Sequence, residues 1–297
     1  MSGVAVRAAG AVMQARDFVA LTKPRIISLL LVTTVASMYI AGQPSLWQVL
    51  IVAVGGYLMA GGANAVNMFL DRDIDDLMAR TRLRPIPSGR LAPVSVLAFG
   101  IALAVGATWL LAQFVNLLTA ALALGGFYFY VFIYTRWLKR VTPQNIVIGG
   151  AAGAFPPLVG WAAVTGSIDL AAIYLFLIVF YWTPPHFWAL ALLKQVDYGR
   201  AGIPMAPLVW GERETMDQML WYTLILIGVT LLPVTFGAFG TIYFVGAATL
   251  GGLLLGGVIR VRRLTPWTKF AWWVYKYSLL YLALLFTLMA VDRRIAG

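Results

Sequence analysis

Residues 46–76 read LWQVLIVAVGGYLMAGGANAVNMFLDRDIDD. A run of 25 residues without a single charge, Leu46 to Leu70, is followed at once by four aspartates in six positions. A helix of that length rises ~37 Å, more than the ~30 Å hydrocarbon core of a bilayer. A surface helix of a soluble protein would carry a charged face; this run has only a few neutral polar groups. The stretch therefore predicts a helix that crosses a membrane and ends in a dense patch of acid.

The rest of the chain has the same character. Of 297 residues 61% are hydrophobic and 11% charged, where a soluble domain has about half and a quarter. The composition excludes an ordinary cytosolic domain, a disordered tail and a disulfide scaffold, since no cysteine is present. It equally removes cysteine nucleophiles and thiolate metal sites. Nine long apolar runs can be read: 26–42, 46–70, 91–112, 115–135, 145–165, 168–193, 218–237, 239–259 and 270–291. They are too long and too continuous for barrel strands. The expected fold is all-α: a polytopic membrane protein, one domain over 1–297, with nine transmembrane helices bundled around a central cavity. Glycines four apart, Gly149/Gly153 and Gly252/Gly256, are expected to let helices pack closely.

Charge gives the orientation. Nineteen of the 22 Lys and Arg lie in the N-terminal segment and in alternate connections, while the connections near 42–46, 112–116, 165–168 and 237–240 hold none. Positive-inside bias then places the N-terminus in the cytoplasm and the C-terminus outside. The formal net charge of +11 is thus read as topology, and no nucleic-acid partner is expected. Arg7 and Arg16 break up the N-terminal segment, which rules out a signal peptide; the brevity of the chain fits a bacterial plasma (inner) membrane. Both long connections, near 71–90 and 194–217, fall on the cytoplasmic side and carry the acids.

No helix breaker follows Leu70 until Pro85, so the second run is expected to continue as helix into the acids. At about 100° per residue, Asn64, Asn67, Asp71 and Asp75 fall within an arc of about 80°, with Asp73 and Asp76 pointing elsewhere. Asp71 and Asp75 ~6 Å apart repel by about 3 kcal/mol at an effective dielectric near 20. A hard divalent cation offsets that repulsion, and Mg²⁺ characteristically combines one or two carboxylates with phosphate oxygens. Asp73 and Asp76 are read as loop acids that pair with neighbouring arginines.

The pattern N-x-x-x-D-x-x-x-D at Asn67, Asp71 and Asp75 resembles the first aspartate-rich motif of the UbiA-type intramembrane prenyltransferases. The flanking D-x-x-M-x-R-T-x-x-R-P, Asp75 to Pro85, resembles the protohaem IX farnesyltransferase (haem O synthase) branch. So do NIVIGGAAGAFPPLVGW from Asn145 and H-F-W-A-L-A with D-Y-x-x-A-G-x-P-M downstream of His186. The resemblance implies farnesyl diphosphate and haem B as substrates, Mg²⁺ as cofactor, a bilayer environment, and haem A synthase or terminal oxidase assembly proteins as partners. It implies that Asn67, Asp71 and Asp75 hold the metal and diphosphate.

A second cluster, YWTPPHFWALALLKQVDYGRAGIPMAP, runs from Tyr181 to Pro207. Pro184 and Pro185 are expected to break or kink the helix; beyond them His186, Lys194 and Asp197 share one face, with Lys194 and Asp197 an i, i+3 pair. The superfamily carries a second aspartate-rich motif here, whereas this chain has Asp197 alone. Lys194 is therefore expected to take part of the diphosphate charge, and Asp197 to hold a second metal or orient water. His186, the only histidine, is expected to face substrate. Asn64, Arg80, Lys139 and Arg140 are expected to bind substrate; Arg82 and Arg84 are weighted towards plain anchors. Phe187 and Trp188 are candidates to line a lipid or porphyrin pocket. Two other readings remain open: a quinone or other aromatic prenyltransferase, which should keep more acids near 186–197, and a transporter, which should place polar groups in mid-bilayer.

Overall fold

The computed structural model describes the backbone of residues 3–296 and the side chains of 13–295, so Arg7 lies outside the described side chains. Nine helices are long and apolar enough to cross a membrane among the described residues, and the protein is a multi-pass membrane protein. After an N-terminal helix α1 (Gly3–Thr22) come α2 (Pro24–Ala41), α3 (Leu46–Leu70), α4 (Pro93–Phe114), α5 (Leu117–Val141), α6 (Asn145–Thr165), α7 (Leu170–Leu193), α8 (Glu212–Thr235), α9 (Thr241–Arg263) and α10 (Thr268–Ala296).

The four turns that carry no basic residue share a device. Each launches its next helix from a side-chain oxygen that satisfies orphan N–H groups. Ser45 accepts from Gln48 N, Asn116 from Thr119 N at 2.8 Å and Asp169 from Ala172 N at 3.1 Å. For α9 the oxygens come from the far end of the chain. Asp292 of α10 accepts from Gly240 N at 2.7 Å and Tyr243 N at 3.0 Å. Starts at α2 and α4 use Pro24 and Pro93, whose missing N–H costs nothing in a first turn.

Each spanning helix packs against the next in sequence, and α10 packs against α2, so the nine form a closed ring. Contacts of α2 with α6 and of α7 with α10 pinch it into a five-helix lobe (α2–α6) and a four-helix lobe (α7–α10). The pinch is tight. A methyl group on Gly160 would lie 2.1 Å from the carbonyl oxygen of Thr34, and one on Gly62 of α3 would lie 2.6 Å from that of Gly100 on α4. Backbone is in contact with backbone at both crossings. Gly160→Val should therefore force α6 off α2 and cost about 3 kcal/mol, read as a lowered unfolding midpoint in detergent; an unchanged midpoint would mean the crossing is looser than described.

Several expectations are corrected. Of the glycines spaced by four, only Gly149 meets a neighbour, Tyr134, whereas Gly153, Gly252 and Gly256 face open space. The packing glycines are those opposite a carbonyl, which spacing alone does not reveal. Residues 3–22 form a helix that no apolar run announced. From it Phe18 and Leu21 pack with Ala65, Met68 and Val96, and Asp17 pairs with Arg90 at 3.0 Å. The prolines do not break α7, which runs through Pro184 and Pro185 to Leu193. The seventh span starts at Glu212, six residues before the apolar run, since Glu212 and Glu214 suit a helix first turn.

Candidate active site

The helix α3 does not continue into the acids. It ends at Leu70, Asp71 takes a non-helical conformation, and a short helix Arg72–Asp75 gives way to turns. Four carboxylates at the negative end of a helix dipole oppose extension, and aspartate competes for its own backbone. The fold-back that results is held by Thr81, whose hydroxyl donates to the Asp75 carbonyl at 2.8 Å. The intended stripe survives this change: Asn64, Asn67, Asp71 and Asp75 are all buried, Asp75 completely, while Asp73 and Asp76 are exposed.

Each buried acceptor is met by a cation from another part of the chain. Lys23 Nζ donates to Asn67 Oδ1 at 3.0 Å. Lys139 Nζ reaches Asp71 Oδ2 at 2.5 Å, an oxygen that Asn67 Nδ2 also meets at 2.8 Å. Arg84 Nη1 contacts both oxygens of Asp75, at 2.8 and 2.6 Å. Thr135 accepts from Asn67 Nδ2 at 3.1 Å. It is presented by a π-helical stretch of α5, Phe129–Leu138, a distortion often found at functional sites. Asn64 donates to the Thr22 carbonyl and so fixes the end of α1 rather than opening toward the cluster.

One oxygen stands apart. Asp71 Oδ1 is buried with no hydrogen-bond partner, and Arg140 Nη2 stands off from it at 3.9 Å. Arg140 is engaged mainly by Asp73, at 2.6 and 2.7 Å, and by the Leu70 carbonyl at 3.0 Å. That bidentate contact holds the Asp73 carboxyl down to about 2. Burial raises Asp75 above the usual carboxylate range against the pull of Arg84. The Lys23 ammonium is pushed down to about 7 by burial, then by Arg84 and Lys139.

The second connection faces the first. Tyr198, on a short helix Gln195–Arg200, is buried enough to raise its hydroxyl above the usual tyrosine range, with Arg80, Arg84 and Asp197 all in electrostatic reach. Arg80 itself is exposed and makes no ion pair among the described residues. His186 and Lys194 both look toward α10, as their spacing implied. His186 lies between the rings of Trp182 and Tyr275, 4.4 and 4.9 Å away, with Nδ1 2.7 Å from Ser278 Oγ. Lys194 Nζ sits 5.7 Å from the Trp272 ring. The Lys194–Asp197 pair does not form, because α7 ends at Leu193 and Asp197 belongs to the separate short helix. Trp188 is fully buried against Trp210 and Tyr222, whereas Phe187 lies edge-on to His186.

Among the described residues no three His, Asp or Glu side chains gather as a metal group, so Asp197 does not join Asp71 and Asp75 in one ligand set. Mg²⁺ does not require three; one or two carboxylates with substrate phosphate oxygens suffice. An Asn–Asp–Asp set with a buried, unpartnered carboxylate oxygen fits that ion. Lys23 and Thr135 join the cluster from outside both motifs, whereas Arg84 and Tyr198 lie within the quoted motifs without having been expected to bind there. Arg84 offered a local signal, nine residues beyond Asp75.

Comparison with known proteins adds the following. The sequence profile of the UbiA prenyltransferase family matches residues 30–280. The protoheme IX farnesyltransferase of Roseiflexus sp. (strain RS-1) is 58% identical over 280 residues, which are 94% of this chain and 52% of that protein. That of Symbiobacterium thermophilum is 52% identical, covering 93% of this chain and 94% of its own. The chain thus spans about half the length of the Roseiflexus relative and nearly all of the Symbiobacterium one. A solved structure of digeranylgeranylglyceryl phosphate synthase superposes with a TM-score of 0.77 at 17% identity, over 95% of this chain and 99% of that one. A UbiA homolog from Archaeoglobus fulgidus, bound to DMAPP and Mg2+, superposes with a TM-score of 0.68 at 16% identity, over 93% and 99%. At such identities the superpositions establish the fold alone.

Proposed function

Because the chain belongs to the UbiA prenyltransferase family, we propose that it transfers a farnesyl group from farnesyl diphosphate to a vinyl group of protohaem IX, giving haem O. The observation that carries the donor half is the buried Asn67–Asp71–Asp75 set with three cations converging on it. Support for the acceptor half comes from the relatives, since no residue contact in the site selects a porphyrin. The same reading puts the chain in a bacterial plasma membrane with its acidic end cytoplasmic.

In this reading Asn67, Asp71 and Asp75 hold Mg²⁺, which supplies electrostatic stabilisation to the leaving diphosphate. Lys139, Arg84 and Lys23 offset the remaining negative charge of the diphosphate, and Arg80 and Lys194 do so from the rim. The allylic C–O bond breaks with its electron pair departing on the diphosphate, and the vinyl π electrons close the new C–C bond; one water molecule then adds to the cation left on the other vinyl carbon and gives up a proton to the released diphosphate, leaving the hydroxyl of haem O. Cations already fixed in place meet developing charge at no cost in reorganisation. Tyr198 and the fold-back after Asp75 cover the site and keep bulk water from the electron-poor carbon. Asp197 orients groups at the rim, and the stacked His186 fixes α7 against α10 beneath it.

The test is incubation of the purified protein with labelled farnesyl diphosphate, Mg²⁺ and either haem B or 4-hydroxybenzoate. Prenylated haem is the expected product. Prenylated 4-hydroxybenzoate alone would assign a quinone-type acceptor instead, and no product with either would remove the enzymatic assignment.

A further inference from the structure

Three cations meet only two carboxylates in the buried cluster: Lys23, Lys139 and Arg84 against Asp71 and Asp75. Arg140 is occupied by Asp73 outside it. With its ammonium protonated, Lys23 carries the excess of one positive charge, since its partner Asn67 is neutral. Holding it there requires an uncommon backbone. Lys23 lies at φ 55°, ψ 62°, the one non-glycine with positive φ among the described residues. It also precedes Pro24, a place where extended backbone is preferred. Conformations of this kind persist where the surroundings over-determine them and cluster at ligand sites. The charge is therefore not incidental to a loop; α1, through the Thr22 carbonyl bonded to Asn64, and α2 together aim it.

The oxygens that suit a divalent cation are the ones these groups already contact: Asn67 Oδ1, Asp71 Oδ2 and both of Asp75. Only Asp71 Oδ1 is without a partner. A divalent cation arriving alone would raise the buried excess to three positive charges and must displace protein cations that have nowhere to go. A diphosphate ester with three negative charges arriving alone would leave a deficit of two. Together they bring the cluster to neutrality, and the displaced ammonium and guanidinium groups find phosphate oxygens.

We propose that Lys23 makes this site take its metal and its diphosphate only as one unit, by holding Asn67 and a surplus charge until an anion arrives to receive them. Lys23 is then a further substrate-contacting residue, lying outside both motifs. The inference rests on the reading that diphosphate binds at Asn67–Asp75. Binding coupled in this way is reciprocal, so each ligand must raise the affinity of the other by the same factor.

The experiment uses the full chain in detergent, with Mn²⁺ followed by electron paramagnetic resonance and inorganic pyrophosphate by calorimetry. Mn²⁺ and pyrophosphate should each bind at least ~100-fold more tightly in the presence of the other. In Lys23→Met, Mn²⁺ alone should bind at least ~10-fold more tightly and pyrophosphate with Mn²⁺ at least ~10-fold more weakly, opposite shifts that a like charge within a few ångströms produces. A variant with lost packing would weaken both. Lys23→Arg should restore the coupling. Mn²⁺ binding equally well with and without pyrophosphate, or Lys23→Met leaving both affinities where they were, would overturn the proposal. The wild-type measurement decides even if Lys23→Met does not fold. Absence of any pyrophosphate binding to the wild type with Mn²⁺, or binding that farnesyl diphosphate does not displace, would instead defeat the diphosphate reading.

Discussion

Asp71→Ala is expected to lower prenyl transfer at least ~100-fold with the helical content intact, the scale on which a preorganised electrostatic group acts. Asp71 is the hub of the site. Its Oδ2 receives Lys139 and Asn67, and its Oδ1 is the one buried carboxylate oxygen in the cluster that the protein leaves free. Removing the carboxylate takes away a proposed metal ligand and sets Lys139 loose. Asp71→Asn keeps the shape and loses the charge, so it should fall nearly as far. Steady-state turnover with farnesyl diphosphate and haem B, alongside circular dichroism, makes the measurement. Normal haem O formation by either variant would end the assignment of this cluster as the donor site.

The second large effect concerns stability. Asp75 is completely buried and Arg84 half-buried, with 19% of its side chain exposed; breaking such a pair from one side leaves the other group without compensation, at about 3 kcal/mol, the low end for a fully buried pair. Asp75→Ala and Arg84→Met should each cost about 3 kcal/mol, seen as a large drop in unfolding midpoint, and each should also reduce turnover. The double replacement Asp75→Leu/Arg84→Met is expected to recover most of the stability, because an apolar pair fills the same space without desolvating charge. It should recover none of the turnover. Recovery of both would reduce the pair to scaffolding, and additivity of the two single losses would mean the groups do not interact.

How much of this was legible beforehand depends on the range of the interaction. The limits of α3 agree with the apolar run to the residue, because Ser45 caps one end and charge closes the other. The start of α8 was misread by six residues, because the first turn of a helix welcomes acids that a hydropathy reading rejects. Asn67, Asp71 and Asp75 were visible because burial selects one face of a periodic pattern, and that face stayed buried even though the helix carrying it ended at Leu70. Lys23 and Thr135 were not visible. They lie 44 and 68 residues from Asn67, and no local pattern records which distant side chain will arrive. Glu212, which accepts from Gln195 at 2.6 Å, joins the two sides of the second connection in the same way.

The closure of the ring by α10 on α2 has a bearing on biogenesis. The helix α2 leaves the ribosome before its partners α6 and α10, against which it comes to pack, with Arg294 settling over Tyr39 at 4.8 Å. Until then the side of α2 that carries Thr33, Thr34 and Ser37, destined for burial, meets lipid even though α3 already packs on another side. Their hydroxyls donate to carbonyls of α2 itself, Thr33 and Thr34 to Leu30 and Ser37 to Thr33. Nothing on that surface has to wait for a partner to satisfy it. The same self-sufficiency lets that surface wait in lipid until Gly160 of α6 closes against Thr34 and Ser37, so that insertion can proceed in order of synthesis before the ring is closed.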